Sequence, residues 1–371
     1  MKNDRISYFP FLWEGRGRNA NRVRADGYAR LPDNLKRASL VEEGEVVRMQ
    51  ATEDLTYLLT HWQLEPIRSI TAQAPGEYSA SNAKFIETRS GKCYVLKHRT
   101  VRHDLQHEAA LLAALEAHGV PVAVPRLTRG GESYVQVGEA YFELLPHLPG
   151  MVITDHYAPG AAERARRFGA AIAQLHTALQ ACQQLIATRE MDLLCDVTTA
   201  GQITRQVWPD DQPPVEPILS ELNRGLVAHY PELPQQLIHR DAHPGNMLFL
   251  DDRLSGWLDF EIMLRGPRLF DLCYCATSLL ISGLDDPTRR QSWLALLIAL
   301  VAGYETTTCL STAERAALWH MLLSIEVIFI AFFKNIEHAA GLAQNIRALI
   351  WIYENQAAIQ RVSADLCGLP W

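Results

Sequence analysis

Apolar positions change their spacing twice along the chain. From Glu53 to Trp62 (EDLTYLLTHW) they recur at helical spacing. The runs KFIET and CYVLK are then β-leaning, and Arg89-Ser90-Gly91-Lys92 between them predicts a hairpin turn. The next segment, HDLQHEAALLAALEAHG, places Leu105, Ala109, Leu112 and Leu115 near one helical face and offers Gly119 as the residue that ends the helix. ESYVQVG and AYFELL read as two further strands, after which Pro146, Pro149 and Gly150 break the pattern. Beyond Gly150 helical spacing dominates: ERARRFGAAIAQLHTALQAC is one long helix, more follow from about Pro217, and WLALLIALVAGY and LWHMLLSIEVIFIAFF read as core helices. Short β-leaning runs, LIH, MLFL and GWLDF, interrupt this region between 237 and 261. Residues 1–50 mix Arg, Gly and Asn with few apolar residues and hold no period, so an irregular extension is expected there. The expected fold class is α+β: the extension, a small β-rich N-lobe over 51–145, and a larger, mainly helical C-lobe over 146–371.

Composition narrows the function classes. The 371 residues are 48% apolar and 21% charged, the balance of an ordinary globular protein with room for two or three domain-sized units. A formal charge of −7 argues against nucleic acid or an anionic membrane as partner, since both favour a basic face. The seven cysteines are scattered, without a disulfide framework, and Cys273 with Cys275 has no second Cys/His pair at zinc-site spacing. These two read as buried thiols, and His103, His107, His118, His176 and His338 as packed or surface histidines. The longest apolar candidate, Trp293 to Gly303, is about half of the ~20 residues that a membrane helix needs, and the N-terminus has no apolar h-region. The expectation is a soluble cytoplasmic protein of unspecified oligomeric state.

Candidate chemistry concentrates in LIHRDAHPGNMLFLDDRLSGWLDFE, residues 237–261, which holds His239, Asp241, His243, Asn246 and Asp259. Phosphoryl transfer rests on positioning and charge neutralisation. It needs an acceptor for a hydroxyl proton, oxygen ligands for Mg²⁺ and a cation on the nucleotide phosphates. An Asp followed five residues later by an Asn presents two of these groups from one loop, and a second Asp after the next hairpin can reach the same hard cation. Glu326, in the almost wholly apolar SIEVIFIAFF, is costly to bury without a partner. A helix face edging into solvent or an internal hydrogen bond would explain it. So would a place beside the acceptor, binding a substrate ammonium.

These motifs resemble the aminoglycoside phosphotransferase/choline kinase family, which has a two-lobed protein-kinase-like fold, and are nearest its homoserine-kinase-like members. His239-Arg240-Asp241-Ala242-His243-Pro244-Gly245-Asn246 is similar to the family's H-G-D-x-x-x-x-N loop, with Arg240 in place of Gly, and Asp259-Phe260-Glu261 to its metal-binding D-F/W-x motif. The resemblance implies ATP and Mg²⁺ as cofactors and a small-molecule hydroxyl as acceptor, an amino alcohol first and an aminoglycoside second. It implies Asp241 as catalytic base, His239 as buttress of the loop, Asn246 and Asp259 as metal ligands, and Asp271 in RLFDLCY as structural support. Lys97 in YVLK would hold phosphates and pair with Glu108, and the YFELL segment with Glu143 and Leu145 would meet the adenine. Ser81 and Asn82 match the phosphate-covering loop, while Glu261 and Glu326 are candidate acceptor contacts.

Two other readings stay open at this stage. The glycine-poor stretch 75–82 suggests a catalytically silent, nucleotide-binding pseudokinase, and the HRD triplet suggests a protein kinase. Against the latter, no A-P-E-type signature follows Asp259 and the interval to Asp271 is too short for an activation loop.

Overall fold

The computed structural model describes residues 55–72, 83–99, 105–138, 140–185 and 190–365. The chain divides into two compact units, the residues up to 113 with 123–148, and residues 114–122 with 149 onward. The class is α+β, as the pattern of spacings implies.

The first unit is built on one antiparallel sheet of β1 (Ile67–Ala72), β2 (Ala83–Thr88), β3 (Cys93–Arg99), β4 (Val135–Val137) and β5 (Ala140–Pro146), in the order β1-β2-β3-β5-β4. Alternation decides its faces: Ile86, Tyr94, Leu96 and Leu144 point into a cluster with Leu58, Leu59 and Trp62. The turn between β2 and β3 closes with the Gly91 N–H donating to the Thr88 carbonyl, Gly91 taking φ +86°. Strand β1 is not legible in the sequence. It is an edge strand paired on one side only, and IRSITA carries just two large apolar residues.

Helix α1 (Leu105–Ala117) ends at the expected glycine. The Val120 N–H donates to the Leu115 carbonyl and the Gly119 N–H to the Glu116 carbonyl, with Gly119 at φ +80°, the paired bonds of a Schellman stop.

The second unit is helical around two small hairpins. Its helices are α2 (Ala161–Cys182), α3 (Leu193–Val207), α4 (Glu216–His229), α5 (Leu269–Gly283), α6 (Pro287–Tyr304), α7 (Thr312–Asn335), α8 (Ala339–Glu354) and α9 (Gln356–Asp365). Helix α7 is buried on every side and packs against α3, α4, α5, α8 and α9. By length and composition it would cross a membrane, which corrects the expectation that Trp293–Gly303 is the longest apolar run, but 94% of its apolar window lies inside the protein, as in a core helix. Its start is fixed twice: Ser311 and Glu314 form a capping box, and Glu314 also meets Arg268 at 2.7 and 2.8 Å. Helices α2 and α6 approach backbone to backbone, because a Cβ at Gly169 would collide with the Leu300 carbonyl and one at Gly303 with that of Arg166. Cys273 and Cys275 are free, buried thiols whose pKa values burial raises.

Strand β6 (Gln235–Ile238) pairs with β9 (Leu264–Pro267), and β7 (Met247–Leu250) with β8 (Arg253–Trp257), both antiparallel. These pairs hold the ends of two loops, 239–246 and 258–263. The short β9 escapes the sequence reading because LRGP spends half its length on Gly and Pro.

Candidate active site

The loop 239–246 is suspended from α5 by one carboxylate. Asp271, fully buried, accepts the His239 N–H at 2.8 Å on Oδ2 and the Arg240 N–H at 2.8 Å on Oδ1. The first of these oxygens also meets His176 Nε2 at 2.9 Å, and His176 Nδ1 lies 2.9 Å from the Tyr304 hydroxyl. A carboxylate can only accept here, so His176 donates from Nε2, and its Nδ1 shares a hydrogen bond with the Tyr304 hydroxyl. The close approach of α2 to α6 is what brings these two side chains together. Arg240 takes φ +69° in the left-handed region, a conformation that Gly adopts more readily, and its N–H is held by Asp271.

His239 is buried, and burial depresses its imidazole pKa despite the opposing fields of Asp271 and Asp241, so the ring is neutral. Its hydrogen bonds fit one tautomer: Nδ1 accepts the Asp241 N–H at 3.3 Å, and Nε2 donates to the Leu258 carbonyl at 2.9 Å. The ring therefore ties loop 239–246 to the chain just before Asp259.

Asp241 is held through both carboxylate oxygens. Oδ1 accepts the Tyr274 hydroxyl at 2.7 Å and Oδ2 accepts Asn246 Nδ2 at 2.9 Å, while Asn246 Nδ2 also donates to the Asp241 carbonyl at 2.9 Å. His243 Nε2 is 3.7 Å from Oδ1, beyond hydrogen-bond range. Burial depresses the Arg240 guanidinium pKa, against the fields of Asp196, Asp241 and Tyr274.

Asn246 Nδ2 donates twice to Asp241, which leaves Oδ1 as the atom this side chain could offer to a metal. The Leu258 N–H donates to the Asn246 carbonyl at 2.9 Å, so Asp259, exposed and at φ +58°, follows directly beside it. An amide oxygen and a carboxylate are the hard donors that Mg²⁺ takes, and the set fits such an ion. Among the described residues no group of three or more His, Cys, Asp or Glu is arranged for a metal, so ligands beyond this pair would be phosphate oxygens and water.

In the first unit, Lys97 lies on β3 directly opposite Glu143 on β5, with Val95 opposite Leu145. Two residues further on, the same face of β3 carries Arg99, buried between Glu108 at 2.5 Å and Glu143 at 3.2 Å. Arg99 is thus a cation partner of Glu108, a role the sequence reading gave to Lys97 alone. The Arg126 N–H donates to the Leu144 carbonyl at 2.8 Å.

Ser81 and Asn82, with the stretch expected to cover phosphates, lie outside the described residues. Glu261 is exposed two residues after Asp259. Glu326, on α7, is 1% exposed, and neither carboxylate oxygen has a hydrogen-bond partner among the described residues. Burial raises its pKa well above the usual carboxylate range, which makes it a neutral acid.

Two participants went unrecognised in the sequence: Arg99 and Tyr274. Tyr274 had an available signal, since it follows Asp271 by three residues on a helix and therefore shares its face. Arg99 shares a strand face with Lys97 by period two.

The sequence matches the phosphotransferase enzyme family over residues 71–319. It is 31% identical over 242 residues to a homoserine kinase of Methylobacterium radiotolerans, covering 63% of this chain and 70% of that one. A homoserine kinase of Phenylobacterium zucineum is 28% identical over 325 residues, 85% of this chain and 94% of the relative. Among solved structures, an aminoglycoside phosphotransferase from Alicyclobacillus acidocaldarius superposes with a TM-score of 0.63 at 16% identity, covering 85% of this chain and 96% of that one. A microcompartment-associated aminopropanol kinase gives 0.61 at 17% identity, with 83% and 98% covered.

Proposed function

Because the chain belongs to the phosphotransferase enzyme family and is a small-molecule kinase, we propose that it transfers the γ-phosphoryl group of ATP to the hydroxyl of an amino alcohol of the homoserine type, with Mg²⁺ as cofactor. The carrying observation is the doubly held carboxylate of Asp241, fixed by Tyr274 on one oxygen and Asn246 on the other. Homoserine kinases among the sequence relatives support the choice of acceptor.

In this reading the acceptor oxygen attacks the γ-phosphorus in line, the bond from that phosphorus to the β–γ bridging oxygen breaks, and ADP departs. Asp241 orients the hydroxyl and receives its proton. Neutral His239, donating to Leu258 and accepting from Asp241, fixes the loop without competing for that proton. Asn246 and Asp259 would hold Mg²⁺, which when bound neutralises phosphate charge. Lys97 would contact the phosphates together with Ser81 and Asn82, and the backbone of Glu143 to Leu145 would meet the adenine. Glu108 and Arg99 brace that strand. Glu261, exposed two residues after Asp259, would meet an acceptor ammonium. Glu326 would have to be uncovered and ionised to serve in the same way.

The test is ADP release from Mg-ATP across amino alcohols, choline-like amines, sugars and aminoglycosides, with Asp241→Asn as control. Turnover with an amino alcohol that vanishes in the control is the expected result. Equal turnover in the control removes Asp241 as base, and preference for an aminoglycoside overturns the acceptor assignment.

A further inference from the structure

Helix α5 meets the catalytic loop twice. Asp271 takes its backbone N–H groups, and Tyr274, one turn later on the same face, reaches past them to the side chain of Asp241. We infer that Tyr274 is a positioning residue for phosphoryl transfer, aiming the Asp241 carboxylate at the acceptor hydroxyl. The inference rests on Asp241 being the base.

The phenol ring has little freedom. It is buried, stacks on Phe329 of α7 with centroids 5.4 Å apart and planes 5° apart, and on Phe270 at 6.2 Å and 19°. The His243 ring meets it edge-on at 6.0 Å and 84°. Three aromatic neighbours therefore fix where the hydroxyl points, and it points at Asp241 Oδ1, 2.7 Å away.

The second hold matters for geometry. With Asn246 alone on Oδ2, the carboxylate can still turn about its Cβ–Cγ bond; a donor on each oxygen stops that rotation. Each oxygen keeps a lone pair, so the base is oriented without being blocked. Removing the hydroxyl alone leaves one oxygen of a nearly buried anion without that donor.

Tyr274→Phe keeps the ring stack and deletes only the hydroxyl. Expected are a kcat lower by roughly 10- to 100-fold, the size of one hydrogen bond to a charged group, and unchanged KM values for ATP and for the acceptor. A KM does not depend on how much of the preparation is folded, and counting the folded fraction by ATP binding keeps partial misfolding from imitating the loss in kcat. Wild type and Asp241→Asn are run alongside. Active wild type, silent Asp241→Asn, and Tyr274→Phe with kcat within twofold would overturn the positioning role alone. Wild type inactive toward every acceptor, or Asp241→Asn as active as wild type, overturns the base assignment and the positioning role with it.

Discussion

The guanidinium of Arg99 lies 2.5 Å from the carboxylate of Glu108, and both side chains are largely withdrawn from water. The same guanidinium reaches Glu143 at 3.2 Å, so one buried cation joins the end of β3 to α1 and to β5. In a low-dielectric setting such a cation holds the two carboxylates in place, and deleting it takes a buried positive charge from between them.

Arg99→Met is therefore expected to lower the stability of the protein by about 3–5 kcal/mol, the usual consequence of removing one partner from a buried pair. Arg99→Lys should lose less but not nothing, because an ammonium cannot match the planar fork. Lys97→Met separates the two cations functionally: the expected outcome is little change in unfolding by urea and a kcat/KM for ATP reduced roughly 100-fold. Equal stability losses for Arg99→Met and Lys97→Met would mean that the two residues share one structural role.

The loop proposed as catalytic was legible because its motif is local. His239, Asp241 and Asn246 fall within eight residues, and Asp259 follows one hairpin later. Asp271 was legible through the resemblance. Arg240 shows the limit of motif reading: it replaces a Gly yet retains a left-handed backbone, because Asp271 accepts its N–H. Tyr274 and Tyr304 act through contacts that the chain makes only after folding, 33 and 128 residues away from Asp241 and His176. Strands β1 and β9 were missed because an edge strand and a Gly-Pro pair carry too little alternation to read.

Asp271→Asn removes the charge from a carboxylate that receives two backbone N–H groups and an imidazole N–H. An amide offers one accepting oxygen and turns its NH₂ toward one of those donors. A stability loss of about 3 kcal/mol is expected, together with loss of turnover as the loop is released. Thermal unfolding and the ADP-release assay on the same preparation check both; wild-type values in both would show that Asp271 does not carry the loop.

Gly303→Ala tests the approach of α2 to α6. The new methyl group would collide with the Arg166 carbonyl, and backbone cannot yield as a side chain can. The helices must separate, which costs about 1–3 kcal/mol and draws Tyr304 away from His176. Expected are a lower melting temperature and weaker activity in the fraction that remains folded. An unchanged melting temperature would mean that the two helices pack further apart than the structure has them.

Glu326 offers a test by pH. Its folded pKa is raised by burial well above 4.5, while in the unfolded chain it titrates normally. At pH values between the two, folding therefore takes up a proton. The stability linked to this group is fully present below the unfolded pKa and is lost as pH rises towards the folded one, by about 1.4 kcal/mol per unit. Glu326→Gln is close in shape and does not titrate, so its stability relative to wild type should grow steadily from pH 5 to pH 7 in urea denaturation series. A difference that stays flat with pH would show that Glu326 is ionised and paired in the fold. The same variant addresses the acceptor: if Glu326 opens to bind the ammonium, its KM for the amino alcohol rises while kcat holds. If it is only a buried acid, the variant is more stable at neutral pH and its kinetics are those of wild type.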